Sequence, residues 1–408
     1  MVTAMPACRS CGHSPPAVAL SLGPMPLANA LLTADQLGAS EPRYPLDLAR
    51  CPRCALVQIT ETVPPETLFG DYPYFSSYSD TMVRHAEELV ARVVRQRRVG
   101  PKSLVVEIAS NDGYLLQHYV RAGIPVLGVE PARNVARAAE GRGIPTVTEF
   151  FGDALATDLV TRHGQADVIH AHNVLAHVPD LTGVVRGIAT LLHPDGVAVI
   201  EVPYLRDLVE RTEFDTIYHE HLCYFSVTAL DRLFRRHGLQ ISEVERIPVH
   251  GGSLRLTVTA GEPPAESVAR LLAEESRWGV DEDAPLVEFA GRVVALKADL
   301  LRLLGELRGQ GKRLAAYGAA AKGSTLLNYL GVGPETLEFV ADRSPHKQGR
   351  YLPGARVPIV PPARLLEAMP DYVLLLTWNL AEEIMGQQAE YRRRGGRFIV
   401  PIPAPRVV

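Results

Sequence analysis

The chain has 408 residues, 47% of them apolar and 22% charged, and a formal net charge of -4. That balance describes a folded globular chain of two or three domains and speaks against a nucleic-acid binder, which carries a basic surface. There is no apolar run of roughly 18 residues or more, and MVTAMPACRSCGH at the N-terminus lacks the charged and apolar regions of a secretory signal, so no membrane partner and a cytoplasmic location are expected.

Near the start, Cys8 and Cys11 form C-R-S-C, Cys51 and Cys54 form C-P-R-C, and 39 residues separate the two knuckles. In a cytosolic chain this spacing points to a tetrahedral zinc site, because each short turn places two thiolates on one ion; redox disulfides are the alternative. Four thiolates leave no open coordination position, so the zinc is expected to hold the fold and do no chemistry. The fifth cysteine, Cys223, reads as a small buried apolar residue.

Strand and helix then alternate. SLVVEIASNDGYLLQHYVRAG, residues 103–123, opens as an apolar strand, turns at Ser110 to Gly113 and resumes with helical spacing. VLGVEP supplies a second strand ending in Glu130, and DVIHAHNVLAHV (167–178) and GVAVIEVPY (196–204) supply two more. Repeated βα units imply a parallel, doubly wound sheet with ligands beyond its C-terminal strand ends. The first turn lacks the G-x-G-x-x-G of a dinucleotide site. It offers instead Glu107, the polar turn Ala109–Asn111–Gly113, and Glu130 ending the second strand. That set suits S-adenosylmethionine, which has an amino-acid end to hydrogen-bond, ribose hydroxyls for a carboxylate and no pyrophosphate to cradle. Phe151, in FFGDAL, falls at the spacing of an adenine-side loop, and His172 and Asn173 end the HAHN strand facing the donor. The plain alternative is an ordinary βα turn with core aromatics.

YHEHLCYF, residues 218–225, crowds two histidines, a glutamate and two tyrosines into one stretch. A metalloprotease helix is excluded, since H-E-x-x-H meets Cys223 and H-x-x-E-H meets Ile217. The stretch reads as acid/base equipment. HGGSLR, residues 250–255, is either a cleft lining that uses Ser253 and Arg255 or a glycine turn between strands. From about residue 263 to 304 the apolar spacing is helical, and a connecting helix pair without chemistry is expected. RLAAYGAAAKGSTLLNYLG (313–331), LEFVADRSPHKQGRYLPG (337–354), DYVLLLTWN and RFIVPIP then form a second Rossmann-type unit. Small residues at Gly318 to Ala321 let phosphates approach a helix N-terminus, and Lys322 adds a point charge.

CRSCGH, CPRCALVQI, DYPYFSSYS, VEIASNDGYLL, HNVLAHVPD, YHEHLCYF, HGGSLR and YGAAAKGSTLLNYLG occur in one order from Cys8 to about Pro401. In this the chain resembles the S-adenosylmethionine-dependent sugar C-methyltransferases that act on dTDP-linked 4-keto-deoxysugars in antibiotic biosynthesis, the C-3 methyltransferases in particular. One departure is Ala109, where the family more often has glycine. The resemblance implies an α/β chain of three domains: zinc-binding (1–75), Rossmann-like methyltransferase (76–245) and Rossmann-like nucleotide-sugar-binding (246–408). It also implies methyl transfer to C-3 of a dTDP-4-keto-2,6-dideoxyhexose, with C-5 or an O- or N-methyl acceptor as alternatives, by a monomer. By resemblance His221 is the base that forms the enolate, Glu220 orients it or helps to hold substrate, Tyr218 and His177 donate to the keto oxygen, and Tyr72 closes the site. Ser253, Arg255, Tyr317, Ala319, Lys322 and Asp342 are the expected substrate contacts. Histidine suits the role because its ordinary pKa lies near 6.5, and enolisation needs both a base near neutrality and a donor to the developing oxyanion.

Overall fold

A computed structural model of the protein describes residues 7–14, 17–69, 75–249 and 251–408, so Tyr72 and His250 lie outside the described residues. The N-terminal part is an antiparallel sheet of β1 (Ala17–Met25), β2 (Tyr44–Arg50) and β3 (Val57–Ile59). The two cysteine knuckles sit at its end. Their turns close through Gly12 N to Cys8 O and Ala55 N to Cys51 O, with Gly12 and Ala55 both in the left-handed region. Cys8 and Cys54 sulfurs lie 3.5 Å apart, as do those of Cys11 and Cys51, and all four fall within 4.8 Å of one another. A tetrahedral zinc with bonds of about 2.3 Å requires sulfurs about 3.8 Å apart, so the four thiolates fit the ion and fill its coordination. From between them Arg9 reaches Gln58 Oε1 at 3.1 Å and the Ile59 carbonyl at 2.6 Å, tying the knuckles to β3.

In the central domain β4 (Val105–Ile108), β5 (Val126–Val129), β6 (Thr146–Val147), β7 (Ala166–His172) and β8 (Leu192–Pro203) run parallel. β4 is buried along its whole length, which is why it reads as a continuous apolar run rather than an alternation. The chain then departs from the domain order expected from the sequence. Cys223–Tyr224, inside YHEHLCYF, forms β9 and pairs antiparallel with β3 of the N-terminal sheet, Val57 opposite Tyr224 and Gln58 opposite Cys223. β10 (Gln240–Ile247) and β11 (Ser253–Thr259) return to the central sheet, whose order is β10-β11-β8-β7-β4-β5-β6. That sheet therefore runs to Thr259, past the expected boundary at 245, because β11 pairs with β8 from Ser253 to Val258.

Two helices follow, Glu266–Trp278 and Ala284–Gly309. The second buries Leu286, Phe289, Val293, Leu296, Leu300, Leu304 and Leu307 at three- and four-residue spacing, one stripe of an α-helix. It packs on β1, on the helix Leu205–Glu210 and on the helix Ala321–Leu330, and so joins all three parts of the chain. The C-terminal sheet has order β14-β13-β12-β15-β16-β17, from β12 (Leu314–Tyr317), β13 (Val340–Ala341), β14 (Ile359–Val360), β15 (Tyr372–Leu375), β16 (Arg397–Val400) and β17 (Arg406–Val407). All its pairings are parallel except β16 with β17. Among the described residues no helix is long and apolar enough to cross a membrane.

Zinc closes a loop that the apo chain must order by itself, and structural zinc contributes directly to folding free energy. Metal analysis is expected to find one zinc per chain, lost in Cys51→Ser and kept in Cys223→Ser. Thermal unfolding is expected to show a lowered Tm after chelation.

Candidate active site

Beyond the C-terminal ends of β4 and β7, where the strand order reverses, lies a cavity of about 480 Å³ lined by residues of all three domains. This is where an open α/β sheet places its ligands, and the volume is that of a small-molecule site. One half is built by the turn after β4. Ala109, Asn111 and Gly113 all have positive φ (53°, 49° and 77°), as does Asn173 after β7 (56°). An alanine held there costs about 1 kcal/mol, the physical reason a glycine is commoner at position 109. A Cβ on Gly113 would lie 2.1 Å from Ile144 Cδ1, so this position needs glycine for space as well as for φ.

Glu130 anchors the turn. Its carboxylate accepts the Asn111 amide at 3.0 Å and the Ala132 amide at 2.9 Å, while burial pushes its pKa up. Ala109, Asn111, Glu130, Phe151, His172 and Asn173 all line the cavity. Glu107 and Gly113 do not line it. Glu107 is sealed beneath, its carboxyl pushed well up by burial and then by Glu130 and Asp112, so it acts under the floor rather than in the wall.

Behind this half runs a buried polar chain. Glu201, near the end of β8, meets His172 Nδ1 and His85 Nε2 at 3.1 Å each and accepts from Arg255 Nε at 2.6 Å. His172 Nε2 contacts His170 Nδ1 at 2.9 Å, and His170 Nε2 contacts the Tyr119 hydroxyl at 2.9 Å. Burial raises the Glu201 carboxyl, but His172, His85 and Arg255 outweigh it and hold the group well below the usual carboxylate range. The Nδ1 edge of His172 rests on Glu201, which fixes the ring beside the turn that follows β4.

The other half is YHEHLCYF. Its backbone is fastened on two sides: Leu222 N donates to Ala176 O at 2.6 Å, and Ile59 N donates to Leu222 O at 3.0 Å. His221 Nδ1 lies 2.8 Å from the Thr216 carbonyl, an acceptor only, so that nitrogen carries the proton. The lone pair is on Nε2, which accepts from the Tyr218 hydroxyl at 2.8 Å. His177 stands edge-on to His221 with ring centroids 4.8 Å apart, and burial lowers its pKa to about 4, leaving a neutral imidazole. Burial raises Glu220 to about 7, and Asn29 of the N-terminal domain donates to it at 2.6 Å. Glu220 thus joins the wall rather than contacting the His221 ring nitrogens, both of which have other partners. His219 turns away to the Pro45 carbonyl and to Tyr44.

The C-terminal lobe contributes Ala320, Ala321, Lys322 and Lys347 to the wall. Lys322 Nζ donates to Asn379 at 2.8 Å and lies 4.8 Å from the Trp378 ring centre. Asp342 holds the phosphate-type turn, accepting from Ala319 N at 2.7 Å and Ser344 N at 2.8 Å. Five expected substrate residues, Asp342 among them, stand apart from the cavity. Ser253 and Arg255 are buried in β11, where Ser253 Oγ donates to Val249 O and Arg255 pairs with Glu201; among the described residues of that motif, Gly252 alone reaches the wall. Tyr317 opens with Arg343 on a second, smaller hollow, and Ala319 lies behind its own turn. Sequence reasoning missed Asn29, Glu213, Tyr224 and Lys347 in the wall and Glu201 behind it. Glu201 carried a signal as an acid inside an apolar strand, and Tyr224 carried one as part of YHEHLCYF.

Family comparison matches residues 8–69 to a zinc binding domain, 82–244 to a methyltransferase domain and 248–403 to the C-methyltransferase C-terminal domain. The C-methyltransferase NovU of Streptomyces niveus is 40% identical over 404 residues, 98% of this chain and 96% of NovU. This chain belongs to the C-methyltransferase family. Like that family it is an S-adenosylmethionine-dependent enzyme with a zinc-binding N-terminal domain. The C-methyltransferase is also similar to the ubiquinone biosynthesis O-methyltransferase of Ralstonia nicotianae, 34% identical over 128 residues, 27% of this chain and 54% of that protein. Among solved structures, magnesium protoporphyrin IX methyltransferase of Synechocystis with bound SAM covers 48% of this chain and 89% of its own, at 16% identity and a TM-score of 0.34.

Removing Glu201 leaves the buried Arg255 only a 3.4 Å pair with the half-exposed Glu245, a loss toward the lower end of the about 3–5 kcal/mol that breaking a buried pair costs. Glu201→Ala is expected to lose roughly that much in denaturant unfolding and to bind S-adenosylmethionine more weakly. Because the folded-state pKa of Glu201 is depressed, its stabilisation is present above the ordinary carboxylate range and is lost as pH falls through the folded value. Acid titration of wild type against Glu201→Gln measures that loss.

Proposed function

We propose that this C-methyltransferase transfers a methyl group to carbon beside the ketone of a dTDP-linked 4-keto-2,6-dideoxyhexose, at C-3 by its sequence resemblance, in making a branched deoxysugar for an antibiotic. The observation that carries the reading is the His221 tautomer. Its Nδ1–H is fixed on the Thr216 carbonyl and its Nε2 lone pair is turned toward the cavity at the Tyr218 hydroxyl. Carbon is not nucleophilic until a proton is removed, so a base and an oxyanion donor must stand together.

The residues divide that work. His221 Nε2 takes the proton from the carbon beside the ketone, and the C–H electron pair becomes the enolate double bond. The Tyr218 hydroxyl, turning from Nε2 as that atom takes the proton, and the neutral His177 donate to the oxygen as charge builds there. Bound S-adenosylmethionine supplies the electrophilic methyl group. Asn111, Glu130, Phe151, His172 and Asn173 bind and orient that donor, with Ala109 and Gly113 shaping the turn and Glu107 beneath it. Tyr72 is proposed to close the site. Lys322 and Lys347 offer positive charge to a diphosphate at the Ala320–Lys322 turn, with Asp342 holding that turn; Tyr317 is a candidate contact for the nucleotide. C-5 methylation is the same chemistry at the other carbon acidified by the ketone.

Incubation with S-adenosylmethionine and a dTDP-4-keto-2,6-dideoxyhexose is expected to give a product heavier by one methyl, with NMR assigning the new carbon bond. Methylation at C-5 would move the site and keep the mechanism, whereas an O- or N-methyl product would refute carbon transfer. His221→Ala is expected to lower turnover by about 10³-fold, within the range of general acid–base contributions. Donor affinity, measured by calorimetry, should stay within about twofold.

A further inference from the structure

Three carboxyl groups line the cavity: Glu130, Glu213 and Glu220. Glu130 accepts two backbone amides and Glu220 accepts from Asn29. Glu213 is 4% exposed, and its Oε1 is buried without a hydrogen-bond partner among the described residues. A buried polar group left unpaired in a ligand cavity is costly and needs a reason.

The surrounding charges are engaged elsewhere. Those facing Glu213 are Lys322, Asp215, Arg211 and Asp207. Lys322 donates to Asn379, Asp215 accepts from Trp378 Nε1 at 2.7 Å, and Asp207 pairs with Arg246 at 2.6 Å and with Arg211 at 3.5 Å. Space for the carboxyl is made by Gly251, where a Cβ would stand 2.5 Å from Glu213 Oε2 and where φ is +95°. Gly251 of HGGSLR therefore serves this side chain and Gly252 serves the neighbouring Asp207, while Ser253 and Arg255 serve the sheet. Glu213 also opens the 3₁₀ turn Phe214–Thr216, whose last carbonyl holds His221 Nδ1.

We infer that Glu213 is a substrate-binding residue whose carboxyl, as a neutral acid, donates a hydrogen bond to an oxygen of the acceptor, either a hexose hydroxyl or a diphosphate oxygen. The inference rests on the substrate class proposed above. A neutral acid suits a wall that an anionic nucleotide must approach, since a carboxylate beside Asp215 would repel it. Burial raises the Glu213 pKa to about 8 against the pull of Lys322, so the acid form holds at neutrality and is lost as pH rises through that value.

The experiment measures acceptor KM from pH 6.5 to 9 for wild type, Glu213→Gln and Glu213→Ala, with dTDP binding by calorimetry alongside. Wild-type KM is expected to rise about tenfold across the upper half of the range, the size of one lost hydrogen bond that leaves a buried partner unpaired. Glu213→Gln, an isosteric donor, should keep KM low and flat, whereas Glu213→Ala should raise it about tenfold at pH 7 with kcat and donor KM within about twofold. Weakened dTDP binding in Glu213→Ala would place the contact on the diphosphate; unchanged dTDP binding with a raised acceptor KM would place it on the hexose. An unchanged KM in Glu213→Ala, or a Glu213→Gln profile that repeats the wild-type rise, overturns the inference. A wild type that turned over no 4-keto sugar nucleotide would instead remove the substrate reading, and this inference with it.

Discussion

The short antiparallel pairing of β3 with Cys223–Tyr224 is the constraint on which the site depends. It takes the middle of the proton-transfer stretch out of the central sheet and fastens it to the edge of the zinc domain. Four thiolates fix the knuckles, Arg9 fixes β3 to them, and β3 fixes the backbone on which His221 is carried. A zinc with no open coordination position thereby governs the position of His221, which it never touches. Catalytic groups held by rigid elements keep the sub-ångström placement that proton transfer requires.

A second fastening comes from the central sheet. The pair Glu201–Arg255 crosses from β8 to β11 and reaches His172, so the antiparallel hairpin appended to the parallel sheet stabilises the side of the cavity built by the turn after β4. The two halves differ in electrostatic character. Behind the donor turn, ionised Glu201 is compensated by histidines and an arginine. Around the base the acids are shifted upward by burial, Glu220 to about 7 and Asp215 to about 6, and His177 is held neutral. Burial also raises Glu107 and Glu130 on the first side, but there the fixed ion pair of Glu201 stands behind them, while the groups poised near neutrality lie on the side where the proposed mechanism moves a proton.

What the sequence made legible was local. Cys8 and Cys11, or Glu107 and Glu130, announce themselves because a knuckle or a βα turn is specified by residues close in the chain. The density of YHEHLCYF likewise marks a site without any tertiary information. What stayed hidden depends on long-range pairing. Asn29 meets Glu220 across 191 residues, and Arg255 meets Glu201 across 54. Arg255 read as a cleft residue because HGGSLR looks like a surface turn, yet the register of β11 on β8 places Arg255 directly opposite Glu201 in the sheet. The destination of Cys223–Tyr224 was hidden for the same reason, since two residues carry no periodicity that would assign them to one sheet or another.

The central claim is that His221 abstracts a proton from carbon, and the most direct measurement is hydrogen exchange without methyl transfer. With S-adenosylhomocysteine in the donor site and a dTDP-4-keto-2,6-dideoxyhexose in deuterated buffer, NMR follows the hydrogens beside the ketone. Enolisation by His221 requires deuterium to enter at the carbon that becomes methylated in wild type and to stop entering in His221→Ala. Equal exchange in both proteins, or methylation by a wild type that shows none, would contradict it.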